Sequence, residues 1–265
     1  MIVSCIQLSS GENYKYNLKK YLHFIKKSID KNADLILTPE MTSIVTNDKN
    51  KLIKNSYTMG EDLFIKETKI LCKKFKKWIL IGSLPIKEKK KLKNRSILIN
   101  SDGKIASYYD KINMFDIKLG KKELHKESKI YKAGEKIVTA KIPFGNIGFS
   151  ICFDLRFPEL YRALSKKNLN FISVPSAFTQ ITGKKHWHTL LKARAIENMS
   201  YVVGVNRIGQ DANEIKYNGS SRVYDFKGER MDNFKNNMPR VEINTLVKSE
   251  LDSFRNKFPR AELHL

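Results

Sequence analysis

Glu40, Lys111 and Cys152 each stand just past an apolar run, and together they offer a base, a cation and a nucleophile. Cys152 ends NIGFSIC, residues 146–152, which reads as a buried strand. From Pro158 onward Leu160, Tyr161 and Leu164 recur at helical spacing, and Pro158 suits the first helical position. The thiol is therefore expected in a strand-to-helix turn. It would be held out of the core and face free N–H groups, whose partial positive charge lowers a thiol pKa. Nucleophile elbows are built this way; the plainer alternative is a small buried apolar cysteine. Glu40 follows the run 33–37 and Pro39, at a strand's C-terminal end, where α/β sites gather. Burial there would raise its pKa toward neutrality and suit it as a base. Lys111 follows a strand in SYYDKINMFD. Most lysines of the chain must be solvated, so Lys111 gains meaning only beside the other two. The three residues are expected just past strands of one sheet.

A thiol nucleophile also admits a histidine base. Of the five histidines, His23 falls on an early helix, His125 in an irregular polar segment and His264 at the end, and all three read as solvated. His186 and His188 start a helix and read as cap or packing residues. A Cys–His hydrolase using either one is the competing arrangement.

The elements that must position these groups alternate from end to end. Strands are expected at 2–8, 33–37, 78–83, 95–100, 104–109, 137–142, 146–152, 171–175, 201–206, 220–224 and 240–243. Amphipathic helices are expected at 13–31, 61–76, from 158, and at 186–198. Asp102-Gly103 makes a hairpin turn, 111–135 reads as irregular, and 245–265 as a short helix with an extended end. This order, without linker or repeat, predicts one α/β domain with helices over both outer faces.

Composition narrows the function. The 265 residues are 41% hydrophobic, enough for a substantial core, and no apolar run approaches membrane-span length. The strand-like start lacks signal-peptide character, and three widely spaced cysteines suggest neither a disulfide framework nor a zinc cluster. A cytoplasmic enzyme fits. The net charge of +23 admits a basic binding protein. Its lysines, however, are spread along the chain, with short clusters at 87–93 and 121–122 and no nucleic-acid motif. Solvated faces are the simpler reading, and neither nucleic acid nor membrane is expected as a partner.

Three separated motifs, LILTPEM around Glu40, YYDKINMFD around Lys111 and GFSICFDLRFPEL around Cys152, resemble the nitrilase superfamily of carbon–nitrogen hydrolases. HKES around Glu127, PSAFTQITGKKHWHTLLKARAIEN (175–198) and SSRVYDFKGE agree, so the resemblance covers essentially the whole chain. It implies a four-layer α-β-β-α sandwich and a Glu–Lys–Cys set without metal or cofactor. It also implies a homodimer or higher homo-oligomer joined through helices and C-terminal segments such as 245–265. The segments after Cys152 and Pro175 look like the amidase branch that includes omega-amidase and deaminated glutathione amidase. The implied reaction is hydrolysis of a small carboxylate-bearing linear amide; nitrilase or N-carbamoyl amidase chemistry is the alternative on this scaffold. By this resemblance Glu40 is the base, Cys152 the nucleophile, and Lys111 with the Phe153 N–H the oxyanion donors. Glu127 matches a second glutamate that positions substrate or Lys111, with a plain salt bridge as its alternative. Arg156 matches an arginine that binds a substrate carboxylate; bracing the loop through Asp154 or Glu159 is the other possibility. Asn113 replaces the usual histidine after the lysine, and the segment 217–221 departs from the usual Gly-His-Ser.

Overall fold

A computed structural model describes residues 1–89, 91–119, 123–212, 214–234 and 238–258, with the backbone alone at 118–119 and 123–125. The side chain of His125, the pair Lys121–Lys122, Lys90 and residues 259–265, including His264, lie outside the described residues.

In chain order the strands are β1 Ile2–Gln7, β2 Leu35–Leu37, β3 Trp78–Glu88, β4 Lys91–Ile99, β5 Ile105–Asp110, β6 Asp116–Leu119, β7 Glu123–Lys126 and β8 Thr139–Ile142. They continue with β9 Gly145–Phe149, β10 Phe171–Ser176, β11 Tyr201–Asn206, β12 Ile208–Gln210, β13 Lys216–Asn218, β14 Arg222–Tyr224 and β15 Arg240–Thr245. The helices are α1 Tyr14–Asp30, α2 Lys49–Lys54, α3 Leu63–Phe75, α4 Pro158–Ser165, α5 Gln180–Thr182, α6 His188–Asn198 and α7 Lys248–Lys257. One sheet runs β15-β1-β2-β3-β4-β5, the other β14-β11-β10-β9-β8.

Strand periodicity explains the layers. Val3, Cys5, Leu35, Leu37, Leu80 and Leu98 join the core shared with Phe149, Val174 and Val203 of the second sheet. Their alternating neighbours Ile6, Ile36, Ile79, Ile81, Ile97 and Ile99 turn outward to Tyr21, Ile25, Phe64 and Ile65 of α1 and α3. The second sheet is covered by α4 and α6, whose Leu160, Leu164, Leu191 and Ala195 are buried with it. The result is the α-β-β-α sandwich.

Three expectations need correction. Strands β3 and β4 extend well past 83 and before 95, so the lysine cluster 87–93 is mostly paired strand. Pro85 lies within β3 opposite Asn94, past a register shift between Ile81 and Leu84. Lys93 is buried there, with Nζ 2.8 Å from the Ala133 carbonyl. The segment 111–135 contains the paired strands β6 and β7. Helix α6 begins at His188, because residues Gly183–Trp187 form a π turn. At the chain's end α7 packs inward through Leu251 and through Phe254 against Phe226.

Candidate active site

The candidate residues meet between the sheets rather than along one. β2 and β5 belong to the six-stranded sheet and β9 to the five-stranded one, and their C-terminal ends converge at the same edge of the sandwich. The expectation of a single sheet is thereby corrected: a sandwich brings two sheet ends together as readily as one sheet gathers neighbours.

After β2 the chain turns through Thr38, Pro39 and Glu40. The turn is held by Thr38 and Thr42 hydroxyls 2.9 Å apart, by Thr42 Oγ1 donating to the Pro39 carbonyl (2.7 Å), and by the Met41 N–H donating to Ser83 Oγ (2.9 Å). Met41 takes a left-handed φ of 55°. Gly82 on β3 lets this turn approach; a Cβ there would lie 2.0 Å from the Thr38 carbonyl oxygen. Glu40 is 4% exposed.

Lys111 continues β5 and is tied down by its own N–H to the Asn94 carbonyl (3.0 Å) and by the Gly134 N–H to its carbonyl (2.7 Å). Its buried Nζ donates to Glu40 Oε1 (2.9 Å) and Glu127 Oε2 (2.8 Å). Burial alone would pull this ammonium down, yet Glu127 and Glu40 outweigh it and hold the group well above the usual lysine range. Glu127, in the 3-10 turn Glu127–Lys129, also accepts the Phe115 N–H (2.7 Å).

Cys152 opens a 3-10 turn, Cys152–Arg156, with a left-handed φ of 49°. Such a φ is costly for a residue with a Cβ. Asp154 holds it in place: its carboxylate accepts the Ile151 N–H (2.9 Å), the Tyr109 hydroxyl (2.8 Å), and both the N–H and Nδ2 of Asn113 (2.9 Å each). The thiol lines the same cavity as Glu40, and that carboxylate, the Lys111 ammonium and the Ala177 backbone all act on its titration. Burial pushes it well above the usual cysteine range, and the Glu40 carboxylate adds to that push more than Lys111 relieves it. The expected lowering by a helix start is thus overturned. Cys152 is buried rather than held out of the core, and a carboxylate is its neighbour. A thiol so held needs the adjacent carboxylate to take its proton.

Glu40, Lys111, Glu127, Cys152, Phe153 and Arg156 line one cavity of about 900 Å³. The Phe153 N–H stands in the first turn of the 3-10 segment, where helix geometry leaves N–H groups without an internal partner. Arg156 is half-buried, with its guanidinium 5.7 Å from the Phe153 ring and 5.4 Å from that of Phe178, and Nη1 3.2 Å from His186 Nδ1. Among the described residues no carboxylate lies within salt-bridge distance of it, so neither Asp154 nor Glu159 braces the loop through Arg156. The structure gives neither His186 nor His188 as a partner of the thiol. His186 faces Arg156; His188 is pushed down to about 4 by burial and by Arg222, against a smaller opposing pull from Asp232.

Sequence reasoning missed Asp154 as the anchor of the elbow and Asn94 as a contact of both glutamates. Asp154 carries a signal, an acid three residues past Ile151, where its carboxylate can accept that residue's N–H. Asn94 lies in a lysine-rich stretch that shows none.

The carbon-nitrogen hydrolase family model matches residues 2–254, and the chain belongs to that family. The deaminated glutathione amidase of Yersinia enterocolitica is 34% identical over 214 residues, 78% of this chain and 73% of that protein. The omega-amidase of Saccharomyces cerevisiae is 32% identical over 208 residues, 76% and 72% of the two chains. The crystal structure of the C. elegans NitFhit protein superposes with a TM-score of 0.91 at 30% identity; it covers 97% of this chain, which spans 63% of that one. The protein is a hydrolase of carbon–nitrogen bonds other than peptide bonds.

Proposed function

We propose that this hydrolase cleaves a small linear amide carrying a carboxylate remote from the scissile carbonyl, releasing ammonia and the acid. Glu40 takes the Cys152 proton as the sulfur adds to the amide carbonyl carbon. The tetrahedral oxyanion is met by the Lys111 ammonium and the Phe153 N–H, donors worth about 2.7–4 kcal/mol each in comparable enzymes. Glu40 returns the proton to the leaving nitrogen, ammonia departs and a Cys152 thioester remains. Glu40 then takes a proton from water as it attacks the thioester, and the thiol is restored as the acid leaves. Glu127 keeps Lys111 charged and aimed, and Arg156 pairs with the substrate carboxylate.

The observation that carries this reading is the Glu40 carboxylate, bonded to a buried ammonium and lining one cavity with a buried thiol. The cavity size falls within the range of roughly 300–1,000 Å³ common to small-ligand sites. Arg156, with no carboxylate partner among the described residues, supports an acidic substrate, as do relatives named for amidase activity on deaminated glutathione or ω-amides. The test is ammonia release across short ω-amides, α-keto amides and deaminated glutathione, with Glu40→Gln beside the wild type. The reading expects turnover of acidic amides and none in the variant; wild-type rates in Glu40→Gln would transfer the base to another group.

The same reading places one carbon–nitrogen hydrolase domain per chain in a cytoplasmic homodimer, a setting in keeping with the free thiols of Cys5, Cys72 and Cys152. Light scattering on the eluting protein checks the dimer: a monomer mass would refute it.

A further inference from the structure

Asn94, on β4, is 2% exposed and lines the cavity beside both glutamates. Its side-chain NH2 donates to Glu40 Oε1 (2.9 Å) and to Glu127 Oε1 (3.0 Å), while its backbone carbonyl accepts the Lys111 N–H (3.0 Å). An amide NH2 has two hydrogens, and here each meets one carboxylate. The flipped amide would set an oxygen against two carboxylate oxygens, so chemistry fixes the orientation. The cost appears at the other end, where Asn94 Oδ1 is buried without a hydrogen-bond partner among the described residues. An unmet buried acceptor is destabilising, and such costs persist where a site requires the donor.

No other common side chain of this size does the same work. Aspartate would add a third carboxylate to the pair, and leucine would supply no hydrogen. We propose that Asn94 is a positioning residue for the hydrolysis. Together with Lys111 it fixes Glu40 Oε1, so that the rest of that carboxylate is presented to Cys152 and then to the attacking water. As a neutral donor it does so without placing a second cation beside the thiol. The proposal rests on the reading of Glu40 as the base. The other titratable groups around that carboxylate are Lys111, Cys152, Glu127, Tyr131, Arg207 and Tyr217, and all stay unchanged in the test.

The test compares Asn94→Ala, Asn94→Asp and Glu40→Gln in the full chain, measuring kcat and KM for ammonia release across pH 5–9 and the thermal midpoint of each. Asn94→Ala is expected to lower kcat about 10- to 100-fold, the worth of a hydrogen bond to a charged group. Its KM should stay within about twofold, because the lost contact is to the base and not to substrate. Asn94→Asp keeps the shape of the site and carries the test if the alanine variant does not fold. It is expected to be most impaired at alkaline pH and to recover partly toward pH 5, where the new carboxyl holds a proton to donate. A folded variant with wild-type kcat overturns the proposal, as does a raised KM with kcat intact. If Glu40→Gln itself keeps the wild-type rate, the reading of Glu40 as base fails first; an inactive Glu40→Gln beside normal Asn94 variants refutes the Asn94 role alone.

Discussion

Replacing Lys111 by Met removes the ammonium that buried Glu40 and partly buried Glu127 share among the described residues. In the wild type Nζ lies 2.9 Å from Glu40 and 2.8 Å from Glu127, and the lysine is 2% exposed. Breaking a buried pair costs about 3–5 kcal/mol, mostly from the charge left behind. For a chain of this size that is a fall in Tm of roughly 6–20 °C. The rate should suffer separately: loss of one oxyanion donor costs on the order of 100- to 1,000-fold in kcat. Differential scanning fluorimetry and ammonia release measure the two effects. A second substitution, Glu127→Gln, divides them: it removes one stranded carboxylate, so Lys111→Met/Glu127→Gln should regain a good part of the lost Tm and none of the lost kcat. Lys111→Arg should keep more stability than Met yet remain slow, because a planar guanidinium does not occupy the space of a compact ammonium. The reasoning is refuted if Lys111→Met stays within tenfold of the wild-type kcat, or if it is as stable as the wild type.

Three further outcomes follow from named contacts. Arg156→Met should raise KM for acidic amides by about 30-fold or more, the worth of a charge-assisted pair in a closed pocket, and leave a neutral amide of similar size unchanged; equal losses on both would move the carboxylate partner elsewhere. Gly82→Ala should lower kcat on the order of 100-fold, because its Cβ would meet the Thr38 and Pro39 carbonyls at 2.0 and 2.5 Å and displace the turn that carries Glu40; an unaltered rate would show that the turn is free to move. His188, held down to about 4 against an ordinary 6.5, stays neutral in the fold while the unfolded chain takes up a proton. Stability should therefore drop as pH falls from about 6.5 to about 4, and His188→Gln should flatten that part of the Tm profile; an identical slope in the variant would contradict the assignment.

Much of the site was legible because its groups follow strands. Apolar runs ending in Thr38-Pro39-Glu40, in Asp110-Lys111 and before Cys152 locate the ends of β2, β5 and β9, and period-2 patterning separates the inner from the outer face of the first sheet. Other features were not legible. The left-handed φ of Cys152 depends on Asp154, Tyr109 and Asn113, which converge from separate segments, and spacing carries no information on such a contact. The thiol's environment was misjudged for a related reason. A helix start is visible in sequence, whereas burial against Glu40, which dominates here, depends on how two sheets pack. Asn94 went unnoticed because KLKNRS shows no apolar alternation, although β4 buries it beside both glutamates.

The most direct measurement is peptide mass spectrometry of the enzyme quenched with acid during steady-state turnover of an acidic amide. The account predicts a mass increase on the Cys152 peptide equal to the substrate's acyl group, none on the Cys5 or Cys72 peptides, and neither adduct nor ammonia in Cys152→Ala. Undiminished ammonia release by a folded Cys152→Ala, or an acyl adduct on another residue, would contradict it.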